Sequence, residues 1–262
     1  MDNLQKLLDI MAQLRDPKDG CAWDVEQTFE TIAPYTVEEA YEVAEAIDNK
    51  DMDGLKDELG DLMFQAVFHA RMAEEAGHFN FSDVIDAISD KMIRRHPHVF
   101  GDENYRDAEE QTVAWEEQKA LERAEKKQKS ILDGVTVGLP ALTRAVKLQK
   151  RAARVGFDWP STSGVIDKLN EEMLELSEEL IATQQDQEKI EEEFGDMMFV
   201  YANLARHLKI DPEQALKKAN KKFTRRFNKI EQEVENKQSS FDQFSLDELE
   251  EFWQQAKIEE KK

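Results

Sequence analysis

Apolar residues recur along the chain at the three- and four-residue spacing of an amphipathic helix. Two clear examples of this spacing are Leu4, Leu7, Leu8, Met11 and Leu14, and then Leu55, Leu59, Leu62, Ala66 and Val67. Strictly alternating segments, which would indicate half-buried strands, are nearly absent. The pattern therefore predicts an all-α fold built from helical bundles.

Capping and turn residues predict where the helices begin and end. The expected signals are capping boxes at Thr36 to Glu39 and at Ser245 to Glu248, an N-cap at Ser82 and a helix end at Gly77. The helical pattern is weakest in residues 16–34, 96–107, 130–140 and 155–164, where Gly, Pro and turn-forming residues gather. We expect these stretches to connect the helices.

The chain contains an internal duplication, because four motifs occur twice in the same order. The paired motifs are Glu38–Glu42 with Glu171–Glu175, Asp57–Phe64 with Glu192–Phe199, Lys91–Arg95 with Lys222–Arg226, and Trp115 and Lys119 with Trp253 and Lys257. Two tandem domains are therefore predicted, at residues 1–129 and 141–262, with a linker at residues 130–140.

Composition narrows the possible partners and the compartment. The formal net charge of −22 disfavours polymeric nucleic acid and anionic lipid as partners. Cys21 is the single cysteine, so no intramolecular disulfide is possible, and the start at Met1 lacks the features of a signal peptide. No apolar run approaches the roughly 20 residues that a transmembrane helix needs. We expect a cytoplasmic protein without a membrane role.

Acidic residues are grouped on predicted helix faces. Glu38, Glu39 and Glu42 lie within an arc of roughly 100 degrees, while Glu58 and Asp61 share one face of the next helix. The second repeat has the same arrangement in Glu171, Glu172, Glu175, Glu193 and Asp196. Carboxylates gathered in this way repel one another unless a cation lies between them, and oxygen ligands suit Mg²⁺ or Mn²⁺ better than zinc.

A solvated acidic surface is the alternative interpretation, and Glu39 could simply complete the capping box of Thr36. Asp61 and Asp196 favour a metal site, because each lies inside an apolar run and is expected to be partly buried. Gly60 and Gly195 precede them and cost about 1 kcal/mol each relative to Ala inside a helix. We expect a neighbouring helix or a ligand to approach closely there.

The chain resembles the MazG family. The resemblance rests on the EExxE and ExxD motifs, each present twice, and on the segment Lys91 to Phe100, which includes His96-Pro-His-Val-Phe100. It implies an all-α NTP pyrophosphatase that holds Mg²⁺ on helix-borne carboxylates. Such enzymes hydrolyse nucleoside and deoxynucleoside triphosphates to the monophosphate and pyrophosphate, and they generally form homodimers.

Two lysines distinguish the repeats and favour turnover in the second domain. Lys168 lies one turn before Glu172 and aligns with Tyr35, while Lys189 lies one turn before Glu193 and aligns with Gly54. Positive charge beside the acids would attract a polyanionic substrate. The first domain is expected to support the dimer, bind ligand weakly or regulate.

The resemblance and these differences together define the expected site. The expected Mg²⁺ ligands are Glu172, Glu175, Glu193 and Asp196, and Glu171 and Glu192 are expected to orient a water molecule or a ligand. The expected substrate contacts are Lys168, Lys189, Lys222, Arg226, Trp253 and Lys257. Within this set, Lys222 with Arg226 and Trp253 with Lys257 each present neighbouring side chains from one helix face.

Two other functions stay open from the sequence. A di-iron carboxylate bundle needs two Glu-x-x-His motifs, and only Glu75-Ala-Gly-His78 has this form. A non-catalytic helical scaffold could instead present acidic faces to a protein partner. The placement of Asp61 and Asp196 argues against the scaffold.

Overall fold

The computed structural model describes residues 3–102, 107, 110, 111, 114 and 130–260. Every regular element among these residues is a helix and none is a strand, which confirms the all-α prediction. The chain divides into two compact units, residues 1–122 and 123–262. Trp115 and Lys119, the first copy of the last repeated motif, lie outside the described residues. The linker at residues 130–140 stays a prediction.

Both units combine long helices with short helical turns. The first unit contains α1 (Asn3–Leu14), α2 (Ala22–Glu26), α3 (Phe29–Asn49), α4 (Met52–Glu75), α5 (Phe81–Arg95) and α6 (Pro97–Phe100). The second unit contains α7 (Ala141–Ala153), α8 (Thr162–Ile181), α9 (Gln187–His207), α10 (Pro212–Asn236), a 3₁₀ turn (Phe241–Gln243) and α11 (Leu246–Glu259). In the part of the chain described, no helix is long and apolar enough to span a membrane.

Two of the predicted helix starts are wrong. The N-cap of α3 is Thr28, which exchanges side-chain and backbone hydrogen bonds with Thr31. Pro34 lies inside α3, so it does not mark the helix boundary that its ring usually favours. Thr36 is therefore well inside the helix, where its hydroxyl lies 2.9 Å from Nε2 of His69. Consequently, Glu39 is not a capping residue.

The second wrong start is Ser82. Asn80 caps α5 instead, because its side-chain oxygen accepts hydrogen bonds from the backbone N–H groups of Ser82 and Asp83. Asn and Ser are both good N-cap residues, so the sequence alone did not separate them. The stretches predicted as connections also contain helix α2, the beginning of α3 and helix α6.

Two boundary predictions are confirmed. The side chain of Ser245 accepts the backbone N–H of Glu248, and Glu248 accepts the N–H of Ser245 in return, which is a capping box at the start of α11. Helix α4 ends at Glu75, and Gly77 follows with a φ of +74°. This left-handed conformation favours glycine and stops the helix.

The core of each unit is built around one pair of antiparallel helices. Helices α3 and α4, joined at Lys50 and Asp51, pack along each other, and α1 adds Met11 to a core that contains Ile32, Val67, Phe68 and Met72. Helices α8 and α9 form the equivalent pair in the second unit, packed by α7. Because the two helices of each pair run antiparallel, the acidic motif of one helix lies beside the acidic motif of the other.

Candidate metal and substrate site

The helical pairs bring carboxylates from two helices together in both units. In the second unit, one carboxylate oxygen from each of Glu172, Glu175 and Glu193 lies within 4.8 Å of the others. In the first unit, Glu39, Glu58 and Asp61 meet within the same distance. The structure thus forms an acidic cluster at each repeat of the predicted motif.

The fourth predicted acid of each cluster lies close by. Asp196 is not one of the three acids that meet, but its charge raises the pKa of Glu193. Glu42 has the same relation to the first cluster, because its charge raises the pKa of both Glu39 and Glu58. Glu192 likewise adds its charge to Glu193. The assignment of all four acids of the second unit as metal ligands stays a prediction.

Burial and mutual repulsion oppose ionisation of these acids. Burial raises the pKa of the Glu193 carboxyl, and the charges of Glu175, Glu172 and Asp196 raise it further. Burial and like charges raise the pKa of Glu39 and of Glu58 in the same way. A divalent cation held between the carboxylates would remove this repulsion.

We expect Glu193→Gln to stabilise the metal-free protein at neutral pH. A carboxyl whose pKa is raised on folding destabilises the native state when it is ionised. For Glu193 this loss of stability is absent at pH values below the ordinary pKa of 4.5 and complete at pH values above the raised pKa. The melting temperature of the variant, measured in EDTA, should exceed that of the wild type at pH 7.5. The difference should shrink at pH 4.5 and below. An equal difference at both pH values would contradict this prediction.

The predicted burial of Asp61 and Asp196 is wrong for this chain, because both side chains are exposed. Part of each apolar run is exposed as well, with Leu59 at 47% and Phe194 at 51% of full accessibility. The two aspartates therefore lie on the surface of their helical pairs, whereas Phe64, at the end of the first run, packs against the core. Among the acids of the two clusters, the buried one is Glu172, whose exposure is 4%.

Of the two partners expected to approach Gly60 and Gly195, a helix or a ligand, the helix is wrong. A Cβ atom at either position would meet no heavy atom within 4 Å, apart from the helix's own backbone and the adjoining residues. Within the described residues, no neighbouring helix requires a glycine there. The space beside these two glycines is open, next to each acidic cluster.

Lys168 neutralises the buried Glu172. Its Nζ lies 2.8 Å from a carboxylate oxygen of Glu172 and 2.8 Å from one of Glu171, and these hydrogen bonds raise the pKa of Lys168. The first unit has Tyr35 at the aligned position, where the ring packs edge-on against Trp23. Glu39 instead receives a hydrogen bond of 3.4 Å from the neutral amide of Gln65.

The other predicted substrate residues lie on three helices. Nζ of Lys189, in α9, is 3.8 Å from a carboxylate oxygen of Glu179. Arg226, in α10, donates from Nε to Glu260 at 2.7 Å, and its guanidinium lies 5.6 Å from the ring of Trp253 in α11. Lys222 is exposed and Lys257 is half-buried. None of these residues makes an ion pair with the acidic cluster within the described parts of the chain.

Sequence reasoning did not identify Glu260, which also accepts a hydrogen bond of 2.6 Å from Nε of Arg225. Only Nε of Arg226 is used in its contact with Glu260, so the other N–H donors of that guanidinium can still contact a phosphate. No motif marks Glu260, because its contact with Arg226 depends on how α11 packs against α10. The i, i+4 spacing of Lys168 and Glu172 was visible in the sequence, whereas the burial of Glu172 was not.

The structure weakens the di-iron alternative. Among the described residues, the two groups able to hold a metal consist of carboxylates alone, with no histidine. Glu75, the acid of the single Glu-x-x-His motif, accepts hydrogen bonds from Arg15 at 2.7 Å and from Arg71 at 2.9 Å. It is engaged in ion pairs away from both clusters.

Comparison with known proteins agrees with the duplication. Residues 27–100 and 161–230 each match the MazG nucleotide pyrophosphohydrolase domain. The chain is 52% identical, over 99% of both chains, to the nucleoside triphosphate pyrophosphohydrolase of Escherichia coli K12. It is also 44% identical to the nucleoside triphosphate pyrophosphohydrolase/pyrophosphatase MazG of Thermotoga maritima, over 97% of this chain and 95% of the relative.

Proposed function

Because the chain belongs to the MazG family of nucleotide pyrophosphohydrolases, we propose that it uses Mg²⁺ to hydrolyse nucleoside triphosphates at its second domain. The products are the nucleoside or deoxynucleoside monophosphate and pyrophosphate. The protein is an enzyme of the hydrolase class that acts on acid anhydrides. The observation that carries the choice of domain is the contact of Lys168 with the acidic cluster.

The acidic residues of the second unit fit a hard divalent cation. Glu172, Glu175 and Glu193 provide three carboxylate oxygens within 4.8 Å of one another, and Asp196 lies within electrostatic reach. Oxygen donors of this kind favour Mg²⁺, with Mn²⁺ as a substitute. Such a cation supplies charge neutralisation at the phosphoryl group and a bound water of lowered pKa.

The cationic side chains of the second unit bind the triphosphate. Arg226 can contact two phosphate oxygens at once, and Lys222, one turn away on α10, adds a point charge. Lys168 and Lys189 add positive charge beside the acids of α8 and α9. Trp253 and Lys257 lie on α11, which packs against α10, and Trp253 can cover the base. Glu171 and Glu192 flank the cluster and can orient the attacking water.

Electrostatics favour the second unit over the first. Both units have three carboxylates that meet, so the acids alone do not distinguish them. The cation at Lys168 is replaced in the first unit by Tyr35, and the amide of Gln65 contacts Glu39 there. A triphosphate approaching the first cluster would therefore meet less compensation for its charge.

Product analysis tests the reaction. We expect full-length protein with Mg²⁺ to convert each nucleoside triphosphate into equal amounts of the monophosphate and pyrophosphate, measured by ³¹P NMR. The diphosphate and inorganic phosphate should not form, and EDTA should abolish turnover. Mn²⁺ should restore it. Absence of turnover with either ion, together with melting unchanged by metal and nucleotide, would favour the non-catalytic scaffold.

A homodimer completes the proposal. Helix α8 exposes apolar residues seven positions apart, with Ile166 at 45%, Met173 at 47% and Leu180 at 48% of full accessibility. Tyr201 in α9 follows Phe194 at the same spacing and is exposed as well. Apolar stripes of this length on paired helices are typical of surfaces that pack against another helical pair. A second copy of the chain offers the same stripe.

A further inference from the structure

The second unit contains a basic cavity that is separate from the acidic cluster. Its volume is about 500 Å³, and it is lined by residues of α7, the end of α9 and the start of α10. Its ionisable lining consists of four cationic side chains and one carboxylate: Lys147, Lys150, Arg206, Lys209 and Asp211. In a chain of formal net charge −22, this cavity reverses the sign of the local charge.

Three of the four cations are available to a ligand. Lys147 and Lys150 lie one turn apart on α7, Lys209 follows the end of α9, and all three are exposed. None of them has an ion-pair partner among the described residues. The carboxylate Asp211 already accepts the backbone N–H of Gln214 at 3.1 Å.

The fourth cation is held in position. Arg206 donates from Nε to Oδ1 of Asn203 at 2.8 Å, and its guanidinium also forms an ion pair with Asp158. Asn203 is buried, so the arginine is anchored from inside the unit. A fixed arginine next to three unpaired lysines is an arrangement that suits phosphate oxygens.

The first unit provides an internal comparison, because it has a cavity of about 300 Å³ at the corresponding place, between α1, α4 and α5. Four of the five α1 residues that line it have the same spacing as the α7 residues of the basic cavity: Gln5, Leu8, Asp9 and Ala12 against Thr143, Val146, Lys147 and Lys150. Asp9 thus takes the place of Lys147, and Glu74 joins Arg71 in the lining. The duplicated fold accounts for the cavity but not for its positive charge.

From this difference we infer that the basic cavity of the second unit binds a small phosphate-bearing anion. A volume of about 500 Å³ is within the range of small-molecule sites, and a concave surface lined by cations favours a compact anion over an extended chain. Pyrophosphate and a nucleotide share the required chemistry. The site is distinct from the proposed catalytic cluster, and its occupancy does not depend on that assignment.

Calorimetric titration with pyrophosphate in EDTA tests the inference. The background is full-length Lys222→Ala/Arg226→Ala protein, which removes the two substrate cations proposed on α10. We expect one pyrophosphate bound per chain. Adding Lys147→Asp and Lys150→Ala, which copies Asp9 and Ala12 of the first unit, should weaken binding by at least about a hundredfold, since each lost charged contact is worth roughly tenfold.

Lys218→Asp is the matched control, because Lys218 is exposed on α10 outside the cavity. It should leave pyrophosphate affinity unchanged, and both variants should melt like the background protein. Inorganic phosphate and a nucleoside monophosphate, titrated in parallel, identify which phosphate-bearing ligand binds most tightly. No pyrophosphate binding in the background protein, or equal weakening by Lys218→Asp, would overturn the inference.

Discussion

Glu172→Gln should lower kcat for pyrophosphate release from a nucleoside triphosphate by at least about a hundredfold with saturating Mg²⁺. Glu172 is the buried member of the second acidic cluster, with 4% exposure, and it receives the ion pair from Lys168. Glutamine keeps the shape of the side chain but loses the charge that would bind the metal. The measurement is initial rates over a range of Mg²⁺ concentrations.

Glu39→Gln is the matched variant in the first unit, since Glu39 occupies the same position of the repeated motif. It should retain the wild-type rate, because its cluster lacks the neighbouring lysine. Circular dichroism melts of both variants establish that folding is preserved. Full activity in Glu172→Gln together with loss in Glu39→Gln would place turnover in the first domain.

Leu180→Glu should raise the dissociation constant of the proposed homodimer by roughly a thousandfold. Leu180 belongs to the exposed apolar stripe of α8 and lies two turns beyond Glu172. In a twofold-symmetric interface the substitution occurs twice, and burying each charge costs at least about 2 kcal/mol. A total of about 4 kcal/mol corresponds to that factor.

Sedimentation velocity measures this effect. Wild-type protein should sediment at twice the chain mass of 30.4 kDa, and Leu180→Glu at the mass of one chain. Leu208→Glu is the control, because Leu208 has a similar exposure of 52% but lies at the end of α9, outside the stripe. A monomeric wild type, or a dimer unaffected by Leu180→Glu, would remove the support for the homodimer.

The proposed dimer partner or substrate would account for the open space beside Gly60 and Gly195. A glycine beside an acidic cluster leaves room that a side chain would fill, although no helix of the same unit uses that room. In the second unit, Phe194 and Phe199 of the same apolar run are exposed. A nucleotide or the second chain of the proposed dimer would fill this space. The apolar pattern of the sequence predicts a buried surface here, whereas the surface is exposed in the single chain.

Much of the fold could be predicted from the sequence, because it depends on local patterns. Apolar spacing gave the helices, Ser245 with Glu248 and Gly77 marked two of their ends, and the repeated acidic motifs gave the duplication. The errors at Thr36 and Ser82 have one cause. Several residues near each helix start could serve as the cap, and only the backbone geometry selects Thr28 and Asn80.

The sequence by itself determined which residue types are available to the candidate site: two sets of helix-borne carboxylates, of which only the second has lysines one turn before its acids, at Lys168 and Lys189. The tertiary structure decided which of these acids is buried and which cation is already paired. It buried Glu172 instead of Asp196, and it placed Glu260 against Arg226. Burial and pairing depend on how one helix packs against another, so they cannot be obtained from the periodicity of a single helix.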